Sequence, residues 1–172
     1  MDELILRLPG DAEASEFMRA HQATSPEVPS FLHFYSDGMS LSQYLSVLSN
    51  WKQGTDLPPG GVPETFLFAF VGPRIVGRVA VRHRLTASLE REGGHIGYVV
   101  VPEFRRRGYA TQMLALAVRL ANEELGINPV LMTCDGGNIG SIRAIERNGG
   151  VLRDVIETDG RRESVHRYWI RR

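Results

Sequence analysis

The stretch from His95 to Cys134 limits the possible fold more than any other part of this chain. "HIGYVVV" is a β-branched run closed by Pro102, and "PVLMTC" is a second apolar run of strand length. Between them, from about Arg107 to Leu125, Ala110, Met113, Leu114, Ala117, Leu120 and Ala121 recur at helical spacing. They make a broad apolar stripe, and Gly126 is a C-terminal stop signal. Strand, long helix, strand is a parallel crossover unit, and such crossovers are right-handed in nearly all proteins. A chain built on one must carry a sheet with helices packed against it.

The flanking segments extend this pattern. Glu3–Leu8 reads as a strand ended by Pro9-Gly10, followed by a helix beginning at Asp11, whose carboxylate can accept from the first free N–H groups. Ser40 with Gln43 three residues on is a capping-box pattern. Leu41, Tyr44, Leu45, Leu48 and Trp51 then share one helical face. "ETFLFAFV" and "RIVGRVAVRHRL" read as a hairpin across Gly72-Pro73, and "TASLEREGG" as a loop. "NIGSIRAIERNGG" is a short helix stopped by Asn148-Gly149-Gly150. The closing strands "VLRDVIET" and "RRESVHRYWI" flank Asp159-Gly160, the strongest short hairpin signal in the sequence. The order is β-α-α-β-β-β-α-β-α-β-β, which places the chain in the α/β (α+β) class with a mixed sheet. At 172 residues, with no repeat or low-complexity tract, a single domain over residues 1–172 is expected.

Composition narrows the function. The formal net charge is zero, so no global field recruits nucleic acid or an acidic membrane surface. No stretch approaches the roughly 20 apolar residues of a membrane span, and the N-terminal run is too short and acidic for a signal peptide. Cys134 is the only cysteine, so neither an internal disulfide nor a CxxC metal site exists. These features point to a cytoplasmic protein. At the end of an apolar strand, Cys134 itself reads as a buried small hydrophobe.

Chemistry concentrates in "VPEFRRRGYATQML", where a strand feeds a helix. The helix start offers unpaired N–H groups and the positive end of the helix dipole, and Gly108 permits close approach of a ligand. This is an anion site. Without a following Gly-Lys-Ser/Thr it is no Walker loop, and without Gly-x-Gly-x-x-Gly it is no Rossmann fingerprint.

Val101-Pro102-x-x-Arg105-x-x-Gly108-x-Ala110 resembles the Arg/Gln-x-x-Gly-x-Gly/Ala coenzyme-A signature of the GNAT superfamily of N-acetyltransferases. A second similar element follows, Asn138-x-x-Ser141 at a helix start, ending in Asn148-Gly149-Gly150. The likeness in element order runs from Glu3 to Arg172, and the specific motifs cover His95 to Gly150. "RHRL", "GGHIGYVV", "TCDGGN", "IERNGG" and "RYWI" together look like an uncharacterised bacterial branch of predicted GNAT enzymes.

The resemblance implies a mixed, largely antiparallel sheet of six to seven strands flanked by about four helices. It implies acetyl-CoA as cosubstrate, no metal, and direct attack by a primary amine of a small molecule or peptide in a ternary complex. In the turn Arg105, Arg106, Arg107, Gly108, Tyr109, Ala110, Thr111, the backbone N–H groups from about Arg106 onward would hold the pyrophosphate. Main-chain groups of Tyr98, Val99 and Val100 would pair with the pantetheine arm, one polarising the thioester carbonyl. Asn138 would bond the pantetheine amides with Ser141 nearby, and Arg143 or Arg147 could reach the adenosine phosphates. The family's tyrosine acid falls on Ile145, so either the acid is Tyr98, Tyr109 or a water, or the thiolate leaves without direct help.

His95 is the first candidate base because histidine titrates near neutral pH. The competing reading makes it a strand cap or a structural hydrogen-bonding group. His83, Glu64 and Glu92 are further candidates, each also readable as an ordinary surface or edge residue. Phe31, Phe34, Tyr35 and Asp37, in the loop before the second helix, could contact the acceptor, while Tyr44 and Trp51 read as core. The expected partners are acetyl-CoA and an amine acceptor, without nucleic acid or membrane; dimers are common in the superfamily, so a homodimer is admitted. The alternative reading is a GNAT-fold acyl-CoA-binding module with little or no catalysis.

Overall fold

Alternation along "ETFLFAFV" organises the first sheet, because Phe66, Phe68 and Phe70 fall on one face and are buried there. The computed structural model describes residues 3–158, 160 and 162–172. Strands β2 (Glu64–Val71) and β3 (Arg74–Arg82) form the hairpin expected across Gly72-Pro73, with Val71 opposite Arg74 and Glu64 opposite Arg82. β1 (Leu4–Arg7) pairs with β2 and β4 (Ile96–Val100) with β3, giving the antiparallel order β1-β2-β3-β4. β5 (Val130–Asp135), β6 (Val151–Ile156) and β7 (Val165–Ile170) form a second antiparallel sheet in the order β5-β7-β6. β6 and β7 are the expected closing strands; of the turn between them, Asp159 lies outside the described residues.

The mixed sheet is thus two sheets that meet between β4 and β5. Just before β4, the His95 N–H donates to Leu131 O at 2.8 Å. The Leu131 N–H donates to His95 Nδ1 at 2.9 Å. No ladder continues from this point among the described residues, so β4 and β5 part company.

Helices close both faces. α1 (Ala14–Thr24) and α2 (Leu41–Gln53) pack Phe17, Ala20, Tyr44 and Leu48 onto Phe66 and Phe68. The capping box is present: Ser40 Oγ accepts from the Gln43 N–H at 3.2 Å, and Gln43 Oε1 accepts from the Ser40 N–H at 2.8 Å. Two sequence expectations in this part of the chain are corrected. Asp11–Glu13 is a 3-10 turn preceding α1, and the carboxylate of Glu13 rather than Asp11 reaches back to the Gly10 N–H at 2.8 Å. "TASLEREGG" is not all loop: Ala87–Arg91 forms the short helix α3, capped by Thr86 Oγ1 accepting from the Leu89 N–H at 3.3 Å.

On the opposite face lie α4 (Tyr109–Glu123) and α5 (Ile139–Arg147). With α3 included, the described residues hold five α-helices. Met113, Leu114, Ala117 and Val118 of α4 share one core with Val79 and Val81 of the first sheet and Val130 and Met132 of the second. One helix therefore joins the two sheets; fully burying each of its large apolar side chains stabilises by about 1.5–3 kcal/mol.

One buried charge shapes the α1–α2 connection. Arg78 projects from β3 beneath the loop and is 4% exposed. Its Nε donates to Phe31 O at 2.9 Å and its Nη2 to Ser30 O at 3.1 Å. Burial pushes its pKa down to about 10.

Gly77 sits where β3 passes tightly against β4 and α4. A Cβ there would collide with Val99 O and lie 2.7 Å from the Met113 side chain. The Gly77→Ala variant is expected to lose about 1–3 kcal/mol of stability, read as a lower denaturation midpoint at unchanged slope.

Candidate active site

Where β4 leaves β5, a cleft of about 650 Å³ opens, walled by the N-terminal turns of α4 and α5. The turn into α4 follows from its residues. Gly108 is the N-cap with φ +82°, and Arg106 is also left-handed at φ +64°. The helix's first bond is Gln112 N–H to Gly108 O at 3.3 Å, which leaves the N–H groups of Tyr109, Ala110 and Thr111 without an intrahelical partner. A Cβ on Gly108 would have nothing closer than Gln112 Nε2 at 4.0 Å, so the space beside this turn is open. Free amides, the helix dipole and open space make a cradle for an anion.

The cleft gathers most of the expected cofactor residues. Tyr98, Val99, Val100, Arg105, Arg106, Gly108, Tyr109, Ala110, Thr111, Asn138 and Ser141 line it, and so do Arg143 and Arg147. Arg107 does not; its guanidinium lies 5.6 Å from the centre of the Phe104 ring. The Arg105 side chain is committed to Glu27 at 2.6 Å. No sequence signal marks Val28, Phe104, Ile139 and Ala144, which reach the same walls from separate places in the chain. Asn148 Nδ2 donates to Thr111 O at 3.1 Å and Ala144 O at 2.8 Å, tying the two helical walls together.

At the inner end, the Tyr98 and Ser141 hydroxyls bond each other at 2.7 Å. Burial raises the Tyr98 pKa, partly opposed by the bond to Ser141, so the phenol keeps its proton at neutral pH. Asn138 Oδ1 caps α5 by accepting from the Ser141 N–H at 3.0 Å, and the same residue lines the cleft. Ile145, the position of the family's tyrosine, is fully buried in the core under α4 and does not line the cleft.

Tyr98, Asn138 and Ser141 also line a second cavity of about 310 Å³, reaching past Gly97 and Cys134 to Arg82, Glu92 and Asp135. His95, the first candidate base, does not line it. Its Nδ1 is used by the Leu131 N–H, a structural hydrogen bond between the start of β4 and β5, and burial lowers its pKa. His83 is likewise engaged, with Nε2 2.8 Å from Thr65 Oγ1. Cys134 is half-buried rather than buried, and burial pushes its thiol up to about 11.

A third cavity of about 500 Å³ lies on the α1–α2 side and shares Arg82 with the second. The reading of Glu64 as a surface or edge residue is overturned: it is 4% exposed, its Oε1 is 2.9 Å from His33 Nδ1, and its Oε2 is 3.7 Å from Arg82 Nε. The signal is present in the sequence, since Glu64 has the same parity on β2 as Phe66, Phe68 and Phe70. Phe34 and Trp51 stack with ring centres 3.3 Å apart and form another wall. Phe31 is core, and Tyr35 packs against Phe17 and Tyr44.

A crossover helix headed by an anion cradle, beside a splayed pair of strands, is the arrangement of a known family. The family model of the acetyltransferase (GNAT) domain matches residues 3–151, and the chain belongs to that family. A search among curated proteins found no match. Among solved structures, the microcin C7 self-immunity acetyltransferase MccE, in complex with acetyl-CoA and AMP, superposes with TM-score 0.67 at 17% identity. That match covers 100% of this chain and 94% of the other. RimL, the ribosomal L7/L12 α-N-protein acetyltransferase, in complex with coenzyme A, gives TM-score 0.68 at 15% identity over 96% and 92% of the two chains. A candidate ribosomal-protein-serine acetyltransferase from Vibrio cholerae gives 0.65 at 17% over 100% and 95%. At such identities these structures share the fold. Among the described residues no helix is long and apolar enough to cross a membrane, and no three His, Cys, Asp or Glu side chains converge as a metal site.

The raised thiol makes a prediction. With its pKa near 11 against an ordinary 9, Cys134 should hold about a hundredfold less thiolate at pH 8 than a free cysteine. Labelling of the folded protein by a disulfide reagent should be correspondingly slow and should accelerate up to about pH 11. Ordinary labelling kinetics at pH 8 would contradict the burial.

Proposed function

We propose that the protein is a cytoplasmic N-acetyltransferase that moves an acetyl group from acetyl-CoA to a primary amine of a small molecule or peptide, by direct attack in a ternary complex. The observation that carries this is the Tyr98–Ser141 hydroxyl pair, placed where the cleft with the anion cradle meets the cavity holding Glu92 and Asp135. Donor and acceptor approach from the two sides, and a proton donor stands between them.

The residues divide the work. The amides from Arg106 to Thr111 receive the pyrophosphate, with Arg143 and Arg147 available for the remaining phosphates. β4 is the edge strand of its sheet, so beyond His95 its outer N–H and C=O groups at Tyr98–Val100 can pair with an extended amide chain such as pantetheine. One of those N–H groups polarises the thioester carbonyl. As the amine nitrogen bonds to the carbonyl carbon and the C–S bond breaks, the Tyr98–Ser141 pair supplies the proton taken by the departing sulfur. The amine's own proton goes to a carboxylate of the second cavity, Glu92 or Asp135, which replaces His95 as the place to look for the base. RimL is an acetyltransferase of a ribosomal protein's α-amine, and MccE confers self-immunity to microcin C7.

The test is thiol release from acetyl-CoA across a panel of amines. Turnover on at least one acceptor is expected, with Tyr98→Phe and Ser141→Ala each lowering kcat by about a hundredfold and leaving the affinity for acetyl-CoA nearly unchanged. Tight acetyl-CoA binding with no turnover on any amine would instead establish a binding module. Gly108→Val forces a branched side chain into a left-handed conformation beside the cradle and should weaken coenzyme-A binding at least about tenfold by calorimetry. An unchanged affinity would move the pyrophosphate site elsewhere.

A further inference from the structure

The outer edge of β6 is bare among the described residues. β6 pairs with β7 alone in the order β5-β7-β6, and it lines none of the three cavities. Val151, Leu152 and Val155 are 65, 49 and 46% exposed. Natural edges are blunted by prolines, charged side chains, bulges or short length; Val151–Ile156 has no proline and no lysine, and its charges are the adjacent pair Arg153 and Asp154.

The strand does carry a bulge, between Leu152 and Asp154, and that bulge gives its faces an unusual symmetry. Leu152 is opposite Tyr168 and Val155 opposite His166, so these two share one face. Val151, Asp154 and Ile156 are opposite Trp169, Arg167 and Val165, so they share the other. Arg153, the extra residue, lies over the Trp169 ring at 5.4 Å and 3.5 Å from Asp154, on that same second face, where Asp154 is also held by Arg167, Nε to Oδ1 and Nη2 to Oδ2, each at 2.6 Å. The face pattern therefore reads the same from either end about the Arg153–Asp154 peptide. In an unbulged strand a two-fold axis at that point would set residues of opposite faces against each other.

We propose that β6 pairs antiparallel with β6 of a second copy of this chain, about a two-fold axis passing between Arg153 and Asp154. That register sets Val151 against Ile156, Leu152 against Val155, and Arg153 against Asp154 of the other copy, each pair on a common face. Opposite charges and apolar side chains directly across strands both stabilise pairing. A slip of one residue would set Arg153 against Arg153 or Asp154 against Asp154, so the charges fix the register. The result is an isologous dimer with one continuous sheet, β5-β7-β6-β6-β7-β5, that leaves both clefts open.

Light scattering coupled to gel filtration on the full chain tests this, with circular dichroism and acetyl-CoA binding as checks that each variant is folded. The wild type is expected to be a dimer at micromolar concentration. Arg153→Glu sets a carboxylate against Asp154 of the other copy, Asp154→Arg sets a guanidinium against Arg153 of the other copy and beside its own Arg167, and Val155→Glu buries a charge; each alone should give monomer. Mixing the first two variants should restore a heterodimer. The glutamate introduced in one copy then meets the arginine introduced in the other, while the native Asp154 of the first meets the native Arg153 of the second. A monomeric wild type would overturn the proposal, as would a dimer indifferent to Arg153→Glu and Val155→Glu. Folded variants that fail to associate when mixed would overturn the register.

Discussion

His95 and Leu131 hold each other twice, once through backbone N–H and carbonyl and once through the imidazole accepting the Leu131 N–H. Gly94 stands beside them because a Cβ at that position would lie 2.5 Å from Leu131 O. Beyond this junction β4 and β5 separate, and the cleft lies in the gap. α4, packed under both sheets, keeps that gap from closing or spreading by burying side chains against each side at once. The core and the cleft are two consequences of the same junction.

The anion cradle draws little on the side chains of the three-arginine run. The chain is neutral overall. Of its three consecutive arginines, Arg105 reaches the cleft wall but is paired with Glu27, and Arg107 lies over Phe104. That leaves Arg106, whose left-handed backbone, with that of Gly108, fixes the direction of the free amides at the head of α4. Fixed dipoles need little reorganisation when a ligand arrives, whereas long flexible arginines must be ordered.

The strands and long helices are legible in the sequence because their cores impose period: 3.6 along Ala110–Ala121, two along Phe66–Phe70. The cradle is legible because it needs a glycine at one place, between a strand and a helix. The split into two sheets is not, since a single histidine ring standing in for a ladder leaves no periodic trace. Nor is the Tyr98–Ser141 pair, whose members reach one point from a strand and a helix far apart in the chain. Counting along α5 to Ile145 finds no proton donor, because a count does not tell which face a helix turns to the cleft. Residue type alone puts Glu64 at the surface, whereas parity with three phenylalanines puts it inside.

Arg78 holds the α1–α2 connection by the carbonyls of Ser30 and Phe31, and a carbonyl is common to every amino acid. The path of that loop is therefore set by a strand residue, independently of which side chains the loop displays. Its members along the third cavity, His33 and Phe34, face Glu64 and Trp51 through side-chain contacts that are separate from the anchor. A fold with such an arrangement can alter the chemistry of one wall while the rest of the scaffold, and the cleft at the head of α4, stays as it is.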